Sequence, residues 1–449
     1  MFTPHTKNDV EVMLKSIGVE KLEDLFDVIP AEFRYPDLNL APRLSEMEAA
    51  AELENIASAN ATTKEYLSFL GAGAYDHYIP AAVDNLLQRG EFYTAYTPYQ
   101  PEISQGTLQA IFEFQSLICR LTGMDVSNAS HYDGATAAAE AAILALGHFR
   151  NKRKKILVSR SVNPQFRQTM RAYTQAHEDL QIVGDEIETG ADLEKLIAMI
   201  DNDTALVLVQ YPDFFGRIVD YKKLIETAHA YGALVAMAVN PTAMGMLTPP
   251  GDLGADIALG DGQPLGIPLS FGGPYLGFFA VKKDLMRKLS GRLVGETTDV
   301  EGKLAYVLTL TAREQHIRRE KASSNICSNQ GLMTLAATIY MTVLGKFGFQ
   351  QVSNLCYQKA HYAAKLISQL EGFSLVDPDT PFFHEFVVKC EKPVDDILDH
   401  LLAHEIFGGY KLENDYPEMK NCLMLAVTEK ISREDIDYLC EVLEEVNHG

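Results

Sequence analysis

The chain has 449 residues, 47 % of them hydrophobic, and carries 61 acidic against 39 basic side chains for a formal charge of −22. This length suffices for two or three domains with buried cores, and the acidic balance disfavours binding to nucleic-acid phosphates. No apolar run approaches the ~20 residues that cross a bilayer, and the first residues have no apolar stretch behind a basic one, so we expect a cytoplasmic protein without membrane association.

Residues 1–65 are predicted to form an acidic, helical N-terminal arm. One helix is expected over residues 9–17, where Gly18 supplies a stop, and a second over residues 44–59. Prolines interrupt the stretch between them. We expect this arm to wrap either the body of the protein or a partner.

Strands and helices alternate through residues 66–330, which we predict to be a large domain. Its candidate strands are apolar on both faces, as central parallel strands require. Helical segments separate several of them, which indicates right-handed crossovers and a doubly wound, mostly parallel sheet. The candidate strands are residues 155–159, 180–184, 205–210, 233–239, 255–260 and 276–281. The helical segments are residues 165–176, 192–200 and 221–231.

The pattern changes after residue 330, and residues 331–449 are predicted to form a smaller α+β domain. Long helices are expected over residues 331–344 and 350–370, followed by short strands and a helix at residues 394–404.

The six cysteines show no CxxC spacing, which argues against zinc and iron–sulfur sites, and no metal site is expected. We predict that all six are buried free thiols, as is usual in a reducing compartment. They are Cys119, Cys327, Cys356, Cys390, Cys422 and Cys440.

A proline-stiffened loop at residues 96–102 is the first candidate functional element. Its prolines at positions 98 and 101 fix an extended backbone, and Ser104 is a plausible N-cap for the helix that follows. Such a loop can present two hydroxyls, an amide and a carboxylate at a fixed angle, from Tyr96, Tyr99, Gln100 and Glu102. The alternative is a turn whose tyrosines pack against the sheet.

Three motifs resemble those of one family. They are YTPYQPEISQGTLQAIFEFQSLICRLTGM at residues 96–124, FLGAGAYDHYIPAAV at 69–83 and LTLTAREQHIRREKASSNICSNQGL at 308–332. Together they resemble the N-terminal half, or α subunit, of the glycine cleavage system P-protein, glycine dehydrogenase (decarboxylating). The resemblance covers nearly the whole chain.

The resemblance implies a pyridoxal-phosphate-dependent transferase fold of type I, the aspartate-aminotransferase type. It also implies an α2β2 assembly in which the β subunit carries pyridoxal phosphate, decarboxylates glycine and passes the aminomethyl group to the lipoyl arm of the H-protein. The chain alone is then expected to be inactive. Two alternatives stay open: a purely structural scaffold for the catalytic subunit, and an independent fold-type-I enzyme with its own cofactor.

The positions that hold the cofactor in this fold are altered, which predicts a vestigial site. Asp133 precedes Gly134 where a turn would cradle the phosphate, and we expect it to cap the helix instead. Ala238 stands near the strand end where an aspartate would pair with the ring nitrogen. Gln263 and Pro264 stand where the family's catalytic half has a His-Lys pair.

No misalignment rescues the missing lysine, because the chain has no lysine between Lys223 and Lys282. An imine to the cofactor therefore cannot form in this region. We expect no covalently bound cofactor on this chain.

Residues 313–321 are the last candidate element. On spacing alone they fit a solvated amphipathic helix with pairs such as Glu314–Arg318. The resemblance instead favours a surface that faces the partner's site, where arginine could bind a carboxylate. The residues expected to act in trans on the partner are therefore Arg313, His316 and Arg318 together with those of the 96–102 loop.

Overall fold

The computed structural model describes residues 4–187, 192–327 and 329–448, and the chain divides into two compact units between Ala61 and Thr62. The first unit contains α1 (Lys7–Ile17) and α2 (Glu46–Ala57), close to the two predicted helices. Each begins at a capping box, formed by Thr6 with Asp9 and by Ser45 with Glu48.

The helices of this first unit bury no side chain. Large apolar residues stay exposed, among them Val28 at 91 % and Met47 at 78 %. The unit therefore keeps an apolar surface, the kind of surface that association covers.

A seven-stranded sheet organises the second unit. The strands of this part of the chain are β1 (Leu67–Ser68), β2 (Val126–Ser127), β3 (Lys155–Val158), β4 (Gln181–Val183), β5 (Thr204–Tyr211), β6 (Leu234–Val239), β7 (Ile257–Asp261) and β8 (Gly277–Val281). All but β1 belong to the sheet, in the order β2-β8-β7-β6-β5-β3-β4. The five strands from β7 to β4 are parallel, as predicted.

The strand predicted at residues 276–281 is present as β8, but it runs antiparallel to β7, and β2 pairs antiparallel with it in turn. The sheet is therefore mostly parallel, as predicted, although the candidate strand at residues 276–281 is not one of the parallel strands. An apolar run shows that a strand is buried but not which way it points. The connection from Asp261 to Gly277 holds no helix to make a crossover.

The second unit also contains helices, and those that share the cores of the large sheet cover both of its faces. In chain order they are α3 (Ala81–Leu87), α4 (Gly90–Tyr93), α5 (Gln105–Thr122), α6 (Gly134–His148), α7 (Pro164–Thr174), α8 (Asp192–Ala198), α9 (Lys222–Ala230), α10 (Pro250–Leu253), α11 (Gln315–Arg318), α12 (Gly331–Ile367), α13 (Val394–Ala403) and α14 (Arg433–His448). Helices α5, α9 and α12 share one core with Val235 and Met237, whereas α6 and α7 share another with Ala236 and Ala238. Alternate residues of β6 thus point to opposite layers, which is the doubly wound arrangement.

The remaining strands form smaller pieces. They are β9 (Leu293–Thr298), β10 (Leu304–Thr309), β11 (Phe373–Leu375), β12 (Glu385–Cys390), β13 (Ile406–Phe407), β14 (Tyr410–Lys411) and β15 (Cys422–Ala426). Strands β9 and β10 make an antiparallel hairpin that the sequence analysis missed. An antiparallel sheet of order β11-β12-β15-β14 forms the C-terminal core with α13 and α14, and β1 pairs with β13.

Helix α12 joins the two cores. Gly345 interrupts it with φ 58° and ψ −173°, so the two predicted helices are the two arms of one kinked element. The first arm packs in the core of the large sheet and the second in the C-terminal core. By length and composition alone α12 is apolar enough to cross a membrane, whereas the sequence analysis expected no such segment; residues of its two arms pack in the two cores.

Asp133 caps α6. Its Oδ1 accepts the N–H of Thr136 at 2.7 Å, and the Thr136 hydroxyl oxygen accepts the N–H of Asp133 at 3.1 Å. The carboxylate also faces the positive end of the helix dipole.

We expect Asp133→Ala to lower the free energy of unfolding by about 0.5–2 kcal/mol, since it leaves the first turn of α6 without its acceptor. Asp133→Asn keeps an acceptor oxygen and is expected to lose less. Urea denaturation of the full chain measures both. An alanine variant as stable as wild type would show that the cap contributes nothing.

Candidate functional site

Two carboxylates occupy the first turn of α6, where a cofactor phosphate would bind in this architecture. Besides the Asp133 cap, Oδ2 of Asp261 accepts the N–H of Gly134 at 3.1 Å, and its Oδ1 accepts that of Gln263 at 2.9 Å. A Cβ on residue 134 would lie only 2.7 Å from the nitrogen of Asp261. The helix N-terminus is thus closed by the carboxyl groups of Asp133 and Asp261, which already accept the N–H groups that a phosphate would need there.

Gln263, which the sequence analysis places at the position of the missing lysine, is 1 % exposed, and both its amide oxygen and its amide nitrogen make hydrogen bonds. Its Oε1 accepts the N–H of Tyr75 at 2.8 Å, while its Nε2 donates to the carbonyl oxygens of Tyr75 and Ile267 at 2.9 and 2.8 Å. The amide therefore pairs with the backbone of Tyr75 as a neighbouring strand would. The 69–83 motif fills this part of the pocket, a role that the sequence analysis did not foresee.

Tyr75 continues this buried network towards the C-terminal sheet. Its hydroxyl donates to Oε2 of Glu385 at 2.8 Å, and its ring lies 4.5 Å from that of His384. Nδ2 of Asn240 donates to Nε2 of His384 at 2.8 Å. Burial raises the pKa of Glu385 to about 7, so its carboxyl is partly protonated near neutral pH, and lowers the pKa of His384 to about 3, which keeps the imidazole neutral.

The ring-nitrogen position is equally unsuited to a cofactor. Ala238 is 1 % exposed within the α6 layer, and Pro264 is buried beside Gln263. Neither offers a carboxylate or an amine. The residues present at all three cofactor positions therefore do not fit pyridoxal phosphate, and we derive no chemical step through it on this chain.

A second constellation gathers around the 96–102 loop. Nη2 of Arg292 donates to the hydroxyl oxygen of Tyr99 at 3.2 Å, and the guanidinium carbon lies 5.3 Å from the centre of the Tyr99 ring. The His316 ring packs 5.3 Å from the same ring. The structure thus brings Tyr99 and His316 together around an arginine that the sequence analysis did not single out.

Glu314 lies beneath this pair. Its Oε2 is 3.8 Å from Nε of Arg292 and 3.9 Å from Nδ1 of His316, and both Glu314 and Arg292 are buried. Nε of Arg292 and Oε1 of Glu314 have no hydrogen-bond partner in the described part of the chain. Glu314 belongs to the REQHIRREK segment at residues 313–321, where spacing alone suggested a solvent-exposed pair with Arg318.

Residues 313–321 do not form the amphipathic helix that their spacing alone would fit. The segment is two short 3-10 turns around the single turn of α11. Arg319 has a positive φ of 54° that breaks the helical path. The side chain of Glu314 consequently points to Arg292, not to Arg318.

The Tyr99 constellation borders an open cavity of 280 Å³. Tyr96, Arg292 and the start of α12 line it, and Tyr96 is 81 % exposed. Gln100 and Glu102 are exposed on the same loop, and their side chains make no hydrogen bond within the described residues. The cavity therefore has Arg292 and Tyr96 in its wall.

The other two predicted arginines lie elsewhere. Arg313 donates to the carbonyl oxygens of Leu310 at 3.0 Å and Gly291 at 2.9 Å, and burial lowers its pKa. With Arg318 it lines a separate cavity of 660 Å³ that has a basic wall. The other basic residues of that wall are Arg287, Lys288 and Lys321.

Cys327 is exposed, with its sulfur 3.7 Å from Nη2 of Arg292. Cys119 is only partly buried, so the prediction of six buried thiols holds for the other four. Cys327 is exposed because it lies in the irregular segment 322–327, whose structure no periodicity in the sequence predicts.

Asp261 should give the stability a distinctive pH dependence. Burial raises the pKa of its carboxyl to about 7, above the value near 3.9 expected in the unfolded chain. The folded state therefore binds this proton more tightly, and the resulting stability is fully present below about pH 4 and is lost as the pH rises towards 7.

Asp261→Asn removes this titration, so the stability of the wild type should fall relative to the variant between about pH 4 and 7, by at most about 1.4 kcal/mol per pH unit. Urea denaturation at several pH values measures the difference. Asp252→Asn changes an exposed aspartate and is the control: its stability should vary with pH as that of the wild type does. Parallel curves for wild type and Asp261→Asn would contradict the assignment.

Comparison with known proteins agrees with this architecture. The family described as glycine cleavage system P-protein matches residues 1–443. The probable glycine dehydrogenase (decarboxylating) subunit 1 of Anoxybacillus flavithermus is 51 % identical over 448 residues, covering 99 % of both chains. That of Thermomicrobium roseum is 52 % identical over 447 residues, again covering 99 % of each.

Solved structures extend the likeness to the fold. A crystal structure of glycine decarboxylase (P-protein) of the glycine cleavage system, in inhibitor-bound form, superposes with a TM-score of 0.89 at 40 % identity, covering 99 % of this chain and 100 % of that one. Lactobacillus brevis glutamate decarboxylase shares the fold at 14 % identity, with a TM-score of 0.69, covering 94 % of this chain and 97 % of that one. The predicted fold of type I is confirmed, and the chain belongs to the glycine cleavage system P-protein family.

Proposed function

We propose that this chain is the subunit of decarboxylating glycine dehydrogenase that does not carry the cofactor, and that it completes the active site of a partner. The observation that carries the proposal is the pairing of Gln263 with the backbone of Tyr75, which closes the chain's own cofactor position. The names of its relatives, subunit 1 of glycine dehydrogenase, fit such a division of labour.

The partner in this proposal is a β subunit that holds pyridoxal phosphate within a cytoplasmic α2β2 assembly. Glycine is decarboxylated there, and its aminomethyl group passes to the lipoyl arm of the H-protein. The exposed apolar side chains of residues 4–61 and the exposed 96–102 loop are surfaces that a partner could cover.

Tyr99 is oriented for a task outside its own chain. Because its oxygen accepts from Arg292, its O–H proton points elsewhere and is available to a carboxylate such as that of glycine. The buried carboxylate of Glu314 fixes the guanidinium from behind. His316 packs on the ring and limits its rotation.

The other proposed contributors divide between the two cavities. Tyr96 lines the cavity of the Tyr99 constellation, with Gln100 and Glu102 exposed on the same loop. Arg313 and Arg318 line the basic cavity, where they would contact the partner and not glycine. We therefore give Tyr96, Tyr99 and His316 the roles nearest to the substrate.

Incubation of the isolated chain with pyridoxal phosphate, followed by borohydride reduction, should leave no stoichiometric pyridoxyl-lysine in residues 66–330. The region between Lys223 and Lys282 has no amine, and the site is filled by the chain itself. Peptide mapping by mass spectrometry gives the readout, with subunit 2 treated in parallel as the positive control. A single fully labelled lysine in the large domain would favour the independent enzyme.

Tyr99→Phe should lower glycine decarboxylation by the reconstituted complex at least ~10-fold, the loss of about 1.4 kcal/mol from one well-placed hydrogen bond. Tyr96→Phe should act in the same direction. Both changes keep the ring, so assembly and the cofactor absorbance of the complex should stay unchanged. Exchange of bicarbonate into glycine measures the activity.

Tyr231→Phe is the matched control, because Tyr231 is a partly exposed tyrosine at the end of α9, outside both constellations. It should exchange at the wild-type rate. If the Tyr96 and Tyr99 variants also exchange at the wild-type rate, the 96–102 loop has only a packing role. That result would favour the alternative in which the chain is a structural scaffold for the catalytic subunit.

A further inference from the structure

Three potential ligand atoms converge between α13 and α14. His400 lies on α13 and His404 is its C-cap, one turn later on the same face, while Glu445 lies on α14. Oε2 of Glu445 is 3.9 Å from Nε2 of His400 and 3.6 Å from Nε2 of His404. One ligand atom from each of the three residues can be chosen so that all lie within 4.8 Å of one another.

The protonation state of His404 is set by its surroundings. Its Nδ1 is 2.9 Å from the carbonyl oxygen of His400, which can only accept a hydrogen bond. Nδ1 therefore carries the proton, and the lone pair of Nε2 faces Glu445. A backbone carbonyl behind one ring nitrogen is the usual support for a histidine that binds metal through the other.

The ring of His400 also directs a nitrogen atom towards Glu445. Its Nε2 is shielded from solvent and has no hydrogen-bond partner in the part of the chain that the structure describes. The two imidazole rings lie 4.6 Å apart. A metal ion between the rings and Glu445 would use an imidazole nitrogen of each histidine and the carboxylate together.

We propose that His400, His404 and Glu445 form a site for a divalent transition metal, zinc above all, that bridges α13 and α14. Two imidazoles at i and i+4 with one carboxylate are a known zinc ligand set, with bonds of about 2.0–2.2 Å. The side chain of Glu445 is 63 % exposed and free to move inward. A water molecule would be the fourth ligand of the metal ion.

The other group of this kind, His77, Cys356 and Glu429, is satisfied internally. Nδ1 of His77 is 2.6 Å from Oε2 of Glu429, and the thiol of Cys356 is 3.3 Å from the same oxygen. It therefore has no open ligand atoms to offer. The α13–α14 site departs from the expectation that the chain binds no metal.

The test is titration of the tag-free full chain with Zn²⁺ alone, in competition with a chromophoric chelator. Wild type should bind one equivalent with an affinity in the micromolar range or tighter. His400→Ala and His404→Ala should each weaken binding at least ~10-fold, and Glu445→Gln should weaken it less. Glu444→Gln, on the adjacent exposed position of α14, is the matched control and should bind as wild type does.

A second readout separates a bridging site from incidental binding, to the exposed Cys327 for example. Zinc should raise the Tm of the wild type and of Glu444→Gln but not of the two histidine variants, whose metal-free Tm should match that of the wild type. Equal zinc affinity in wild type and histidine variants, or a zinc-dependent rise in Tm that survives the substitutions, would overturn the proposal.

Discussion

The hydrogen bonds between the Gln263 amide and the backbone of Tyr75 determine much of what this molecule can do. A side-chain amide has one acceptor and two donors, and here the oxygen takes an N–H while the nitrogen satisfies two carbonyl groups. An ammonium group could not accept the N–H of Tyr75 and would be a charge in a buried place. The amide of Gln263 therefore holds the segment around Tyr75 in place, as a lysine at this position could not.

The polar groups around Gln263 and Tyr75 are hydrogen-bonded to other parts of the protein as well. A buried network is stable only when its members are partnered, and Asp261, Glu385 and Asn240 each bond to groups on distant parts of the chain. The network joins the loop before α3, the end of β6 and the start of β12. These groups together form a buried polar core between the large sheet and the C-terminal sheet.

Much of the fold followed from sequence patterns. The buried parallel strands, the helices between them and the Asp133 cap are local features with strong signals. Strand direction was not predictable for β8, because direction depends on the connection and not on the apolar run itself.

The candidate site was only half predictable. The prolines of the 96–102 loop and the REQHIRREK motif signalled Tyr99 and His316, but Arg292 lies at the start of a hairpin with no motif to mark it. The pairing of Gln263 with Tyr75 spans 188 positions of sequence, and a single sequence carries no record of such a contact. The absence of lysine indicated what the pocket could not bind, whereas only the structure identified the segment that fills it.

The kinked helix α12 has a mechanical consequence. One arm belongs to the core of the large sheet and the other to the C-terminal core, and the hydrogen bond from Asn240 to His384 is a second link between the same two regions. With these two links the C-terminal sheet cannot swing as a lid without breaking buried contacts. The C-terminal sheet is therefore held at a fixed position against the large sheet, and the cores that α12 joins behave as one rigid body.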